Sequence, residues 1–303
     1  LDMDNQVMVL NGTREGLFNA VVALGQTDSK ILIPNPFYQV YTVAAMAIGA
    51  QSVYLPARAE SGFLPDLDAL TPQELNQTSV FFLCSPSNPQ GAVASEAYWS
   101  RLLHLAETYD FKIFADECYS EIYRSAPPPG ALQVAAQMGA DPERVVAFHS
   151  LSKRSNLPGL RSGFVASGPK NISRLKQLRA YAGCPVAGPI QHVSAKVWSD
   201  EDHVVANRQL YCGKFEAADH IFDGIQSYNS PEAGFFLWLP VEDDEAAAVK
   251  LWTEKGLRVL PGSYLGQIAN EQNPGSGYIR VALVAPKEEM QRGLTILRDC
   301  LYR

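Results

Sequence analysis

Short apolar runs recur through the first half of the chain, each followed by a turn and a stretch of helical periodicity. The runs at 6–10, 30–33, 52–55, 80–83, 112–115, 145–148 and 163–166 read as strands. Residues 15–24, 41–48 and 97–109 place apolar side chains at helical spacing. Pro34 is expected to stop the second strand and Gly25 to end the first helix. After the strand at 145–148, the breakers Asn156, Pro158 and Gly159 predict that no helix follows at once. Ser150, Ser152 and Lys153 are therefore expected in a loop.

The second half has a different rhythm. A polar-faced helix is predicted at 171–181, then a turn rich in Gly and Pro, then one nearly continuous helix over 190–222. Strands follow at 226–229, 235–239, 258–260 and 278–283. Helices are predicted at 245–255, closed by Gly256, and at 286–301. Strands alternating with helices predict an α/β domain with a mostly parallel sheet over 1–215. The remainder, 216–303, reads as a smaller α+β domain.

Composition narrows the function classes. The 303 residues allow two domains or one large one, and 47% hydrophobic content is ordinary for a globular protein. A net charge of −7 argues against a nucleic-acid partner. No apolar run approaches membrane-spanning length and no signal peptide is evident. The five cysteines are scattered, without zinc spacing or a disulfide framework, which favours a reducing cytoplasm.

The chemistry concentrates in Ser150 to Gly163, SLSKRSNLPGLRSG. A lysine near cationic neighbours and partly desolvated has a lowered pKa and can form a Schiff base, which suits Lys153. Arg161 suits a bidentate grip on phosphate oxygens, with Ser150 and Ser152 beside it. The other reading is a solvated basic loop. Asn11-Gly12-Thr13 opens a helix, where free backbone N–H groups seat a phosphate or are merely capped. Tyr38, two residues after Pro36, offers a face for stacking or belongs to the core. Asn88 stands in an Asn-Pro-Gln-Gly turn after a buried strand. Asp116 ends another buried strand, where it needs a cationic partner or serves as an N-cap. Arg280 interrupts an apolar strand and needs an anion if that strand is buried, or water if it is an edge.

Taken in order, these motifs resemble one family across almost the whole chain. Gly-Thr, an aromatic, Asn-Pro-x-Gly, Asp-x-x-Tyr, Ser-x-Ser-Lys, Arg and a late Arg are similar to class I/II aminotransferases of fold type I, which depend on pyridoxal 5′-phosphate (PLP). The resemblance implies that Lys153 carries PLP and shuttles the proton. It implies that Asp116 pairs with the pyridine nitrogen, Asn88 and Tyr119 reach the phenolic oxygen, and Tyr38 stacks on the ring. Gly12, Thr13, Arg14, Ser150, Ser152 and Arg161 would hold the phosphate, and Arg280 the substrate carboxylate. The expected substrates are an amino acid and a 2-oxo acid, and the expected assembly is a homodimer.

Within the class, Asn-Gly-Thr-Arg-Glu-Gly-Leu-Phe, Gly183-Cys184-Pro185 and Asn273-Pro274-Gly275-Ser276-Gly277 resemble N-succinyldiaminopimelate aminotransferases of lysine synthesis. That resemblance implies glutamate as donor and a succinylated keto-pimelate as acceptor. Aspartate, alanine or kynurenine aminotransferases stay open, as do a PLP lyase and a PLP-sensing regulator domain. Family members carry an N-terminal arm before the Gly-Thr turn. Its expected absence here predicts weaker cofactor binding, poorer dimerisation or an inactive chain.

Overall fold

Seven strands form one sheet in the order β1-β7-β6-β5-β4-β2-β3, which sets β1 and β3 at opposite edges, in a computed structural model that describes residues 1–225, 228–269 and 271–302. The strands are β1 (Val7–Leu10), β2 (Lys30–Asn35), β3 (Gln51–Pro56), β4 (Thr78–Cys84), β5 (Lys112–Asp116), β6 (Val145–Ser150) and β7 (Gly163–Ala166). Only β7 runs against the rest, pairing antiparallel with β6 and β1. The central strands are apolar on both faces, as a sheet covered on both sides requires. On one face, α1 (Thr13–Leu24) and α2 (Val40–Ala47) pack with α7 (Pro169–Arg179) over Phe82, Phe114 and Phe148. On the other, α4 (Glu96–Tyr109) and α5 (Ala131–Met138) bury Trp99, Leu102 and Leu103 against Phe81 and Ile113. A short helix, α3 (Pro72–Asn76), with a capping box at Thr71 and Glu74, leads into β4.

Past α6 (Leu151–Arg154), α8 (Gly188–Trp198) and α9 (Asp202–Ile221), the chain builds a three-stranded antiparallel sheet in the order β8-β10-β9. Its strands are β8 (Phe236–Pro240), β9 (Leu260–Pro261) and β10 (Tyr278–Ala282), covered by α10 (Asp244–Lys255) and α11 (Lys287–Leu301). A separate apolar cluster joins Phe215, Phe222, Leu237, Ile279 and Leu294. We propose the domain division at residues 215 and 216, which cuts α9 so that its last turn belongs with the small sheet.

Five sequence expectations change, the least of them at 258–260, where only Leu260 belongs to a strand. Lys153 does not stand in a loop: α6 forms one helical turn, because Ser150 caps it by accepting the Ser152 N–H at 3.0 Å. The strand β2 runs through Pro34 to Asn35. Its pairing with β4 has ended at Leu32, so the missing proline N–H leaves no partner wanting on that side. The long helix expected over 190–222 is two helices, broken where the Asp200 carboxylate accepts the Asp202 N–H at 3.0 Å. Of the strand expected at 226–229, Gln226 and Ser227 lie outside the described residues, and Tyr228 and Asn229 are irregular.

The two sheets meet at a side-chain clamp. Asn35 is fully buried at the end of β2. Its amide donates to the Gln267 carbonyl at 2.8 Å and accepts the Gln267 N–H at 3.0 Å. The Phe37 N–H donates to the Leu265 carbonyl at 3.0 Å beside it. The carboxamide thus pairs with backbone as a neighbouring strand would.

Candidate active site

The carboxyl ends of β2, β4, β5 and β6 open into a cavity of about 1130 Å³, the usual place for a ligand in such a sheet. The β5 end carries Asp116, 5% exposed. Its Oδ2 accepts the Tyr41 hydroxyl at 2.8 Å, and its Oδ1 weakly accepts the Cys118 N–H at 3.4 Å. The sequence asks for a cation here; instead a phenol and an amide hold the carboxylate. Burial pushes its pKa up, and the hydrogen bonds from Cys118 and Tyr41 only partly offset this. Asp116 is thus short of the positive partner that its environment calls for.

Opposite it, the single turn of α6 aims Lys153 into the cavity, with Nζ 5.0 Å from the Phe235 ring centre and 5.9 Å from that of Tyr119. Burial lowers the Lys153 pKa; Cys118 and Asp116 oppose this in part, and the Arg280 and Arg161 charges add to it. A lowered pKa favours the neutral, nucleophilic form of the amine. The next residue anchors the turn: Arg154 is buried, pairs with Glu201 and lies over the Trp198 ring at 5.0 Å.

Arg161 returns just before β7. Its Nη2 donates to the Asn11 carbonyl at 3.2 Å and its Nη1 to the Pro158 carbonyl at 2.9 Å. The guanidinium therefore lies against the start of α1, which no side chain caps. A Cβ on Gly12 would come within 2.0 Å of Arg161 Nη2, and Gly12 has φ +76, so only glycine admits this approach. Ser150 Oγ donates to Ser152 Oγ at 2.9 Å, and both serines line the cavity. An uncapped helix start, a guanidinium and hydroxyls make an anion cradle. Thr13 Oγ1 lies 3.2 Å from Cys118 Sγ. Arg14 leans outward, its Nε donating to the Tyr38 hydroxyl and its guanidinium 5.6 Å from that ring centre.

The small sheet closes the opposite wall. Arg280 lies on the central strand β10, not on an edge, so the water-facing alternative fails. Its Nη1 donates to Asn88 Oδ1 at 2.9 Å, and its guanidinium sits 4.5 Å from the Phe236 ring centre. Burial lowers its pKa. Among the described residues no carboxylate pairs with it. Asn88 spends its carbonyl on Arg280, which leaves its NH₂ group for another acceptor. Tyr119 is buried beside Phe235 and Phe236.

Every residue that the sequence assigned to the cofactor or the substrate carboxylate thus lines this cavity or, as with Gly12, touches a residue that does. One important residue escapes sequence reasoning. Tyr41 is buried on α2, stacks on Phe82 at 4.2 Å, meets Tyr38 edge-on at 5.9 Å and holds Asp116. Burial and the Asp116 charge push its pKa well up, so it remains a donor. Its three-residue spacing from Tyr38 is the signal that could have found it. The residues suit a phosphorylated aromatic aldehyde such as PLP: an anion cradle, a carboxylate lacking its cation, a neutral-leaning amine and an aromatic face share one space.

The model of the family called aminotransferase class I and II matches residues 1–297. An LL-diaminopimelate aminotransferase of Syntrophobacter fumaroxidans is 30% identical over all of this chain and 77% of its own length. An aminotransferase structure from Neisseria meningitidis superimposes with a TM-score of 0.94 at 39% identity, covering all of this chain and 78% of that one. A probable N-succinyldiaminopimelate aminotransferase from Thermus thermophilus gives a TM-score of 0.90 at 26% identity, covering 99% and 79%. With the α/β architecture of fold type I and this cavity, the chain belongs to the class I and II aminotransferases, and it is a transaminase.

Proposed function

We propose that the cavity binds PLP and that the enzyme moves an amino group between L-glutamate and a 2-oxo acid of the diaminopimelate class. The observation carrying this reading is the charge pattern: Lys153, Arg161 and Arg280 face one another without a carboxylate partner, across from a lone buried Asp116. In this reading Asp116, steadied by Tyr41, holds the protonated ring nitrogen. Asn88 and Tyr119 turn to the phenolic oxygen, and Tyr38 covers the ring. Gly12, Thr13, Arg14, Ser150, Ser152 and Arg161 hold the phosphate. When bound, the cofactor supplies an electron sink that makes a substrate α-carbon acidic. Arg280 grips the α-carboxylate and so orients that carbon. Lys153, once neutral, takes the α-proton on Nζ and returns it on the other side of the reaction.

The substrate follows from what the relatives are called. One reading gives succinylated keto-pimelate as acceptor, and the other, favoured by the LL-diaminopimelate relatives, gives LL-diaminopimelate as the amino acid. An aminotransferase of aspartate, alanine or kynurenine is the fallback. We further propose a homodimer in the cytoplasm, in keeping with five free thiols. Among the described residues no helix is long and apolar enough to cross a membrane.

The test is spectroscopic. PLP added to the protein should give a visible absorbance band that Lys153→Ala lacks. L-glutamate should bleach the band and a 2-oxo acid restore it. A band that ignores L-glutamate but responds to other amino acids would sink the donor assignment. Release of ammonia or pyruvate without any keto acceptor would favour a lyase.

A further inference from the structure

A second cavity of about 620 Å³ adjoins the first, and Phe63 and Gln90 line both. We propose that it is the subsite for the far end of a long substrate side chain, and that it selects an end carrying a free amino group. The proposal rests on the aminotransferase reading and adds to it a substrate class.

The small sheet lays the two sites side by side. Tyr278 and Arg280 are two residues apart on β10 and so share a face, and Trp238 is the register partner of Arg280. Two residues of strand span about 7 Å. An extended side chain of lysine length covers that distance from a carboxylate held on Arg280. The floor it reaches is aromatic: Trp238 and Tyr278 stack in parallel, with centroids 5.0 Å apart, and Phe63 meets Tyr278 edge-on. Such faces attract cations.

The two cavities differ in charge. Four cations, Arg14, Lys153, Arg161 and Arg280, line the first, against two carboxylates, Glu15 and Asp116. Among the described residues, Glu232 is the only charged side chain lining the second. Gln90, at their junction, is 5% exposed, and its Nε2 has no hydrogen-bond partner. A buried amide left so is costly unless a ligand completes it. Nε2 is a donor, so an acceptor on the ligand would complete it.

The outer wall is built firmly. The Tyr228 and Ser230 hydroxyls donate to Asp219 at 2.7 and 2.5 Å, and Arg124 holds Asp219 from the other side. The Ala233 N–H donates to the Gly91 carbonyl. A distal ammonium there meets a carboxylate, aromatic faces and a carboxamide. A carboxylate on that same distal carbon, which a diaminopimelate carries, would turn from Glu232 to the unpartnered Gln90 Nε2 donor.

The test uses the full chain loaded with PLP and follows equilibrium binding by tryptophan fluorescence, with Trp238→Phe identifying the reporting residue. The probes are L-lysine, L-norleucine and Nε-succinyl-L-lysine, with L-glutamate as reference. L-lysine should bind about tenfold more tightly than L-norleucine, and Nε-succinyl-L-lysine more weakly than either. Glu232→Gln, at an exposed position, should bring L-lysine within about twofold of L-norleucine. Equal binding of L-lysine and L-norleucine, a gap that survives Glu232→Gln, or tightest binding of the succinylated probe overturns the subsite while L-glutamate still bleaches the cofactor band. If no amino acid bleaches that band, the aminotransferase reading fails and the subsite falls with it, whereas a band that ignores L-glutamate alone sinks only the donor assignment.

Discussion

Arginines in two parts of this molecule are held in opposite ways. Along the seams between elements they meet carboxylates: Arg154 with Glu201, Arg124 with Asp219, Arg208 with Glu121, and Arg144 with Asp110. In the cavity, Arg14, Arg161 and Arg280 are oriented by neutral oxygens of a phenol, two carbonyls and a carboxamide. A neutral partner fixes direction without neutralising charge, so the cation stays available to a ligand. The seam arginines stabilise the fold; the cavity arginines are kept unpaired at some cost in stability, as ligand sites commonly are.

The sharpest break of this comparison is Lys153→Ala. Transamination should fall by at least about 1,000-fold, because the proton carrier is gone. The apoprotein should melt no lower, since a crowded, desolvated charge is removed; a large drop in Tm would move Lys153 to the structural class. Next, Arg280→Ala and Arg154→Ala should separate cleanly. Arg280→Ala should lower kcat/KM for carboxylate substrates by about 10- to 100-fold with little change in Tm. Arg154→Ala should lose about 1–2 kcal/mol of stability, read by denaturant melts, with a milder kinetic effect through the displaced turn of α6.

Tyr41→Phe should be smaller still. Loss of one hydrogen bond to Asp116, worth about 1 kcal/mol, predicts roughly fivefold weaker PLP binding, measured by absorbance titration. The mildest test is pH-dependent. Burial acts to raise the Asp219 pKa, but hydrogen bonds from Ser230, Tyr228 and Arg124 outweigh it, so the carboxyl ends below its ordinary value. A depressed carboxyl contributes stability above its unfolded pKa and loses it as pH falls through the folded one. Asp219→Asn should therefore be less stable by about 1 kcal/mol at neutral pH, with the gap closing in acid. A gap that persists at low pH would mean that the hydrogen bonds matter and the charge does not.

Much of this site was legible because its residues sit at strand ends and helix starts, where turn chemistry marks them. Asp116 and Asn88 each follow an apolar run, and Gly12 precedes a periodic one. Tyr41 was hidden because an aromatic on an amphipathic helix reads as core, and most of its ring is core. Gln90 was hidden because only the structure reveals a missing partner. Arg280 was legible as an oddity, but its neutral company was not, since Asn88 lies 192 residues away. The break between α8 and α9 and the short helix α6 turn on single caps, at Asp200 and Ser150, that periodicity does not register.

The Asn35 clamp has a mechanical consequence. A joint this small, the Asn35 side chain on Gln267 with the Phe37 N–H on the Leu265 carbonyl beside it, permits rotation about itself and resists sliding. If the small sheet swings toward the large one, residues beside Gln267 travel least and those across the small sheet travel furthest. The loop bearing Tyr38 begins at that fulcrum, so its ring would keep station while the wall carrying Arg280 sweeps past. Such a lever would let the enzyme grasp and release an amino acid without disturbing the face that covers its cofactor.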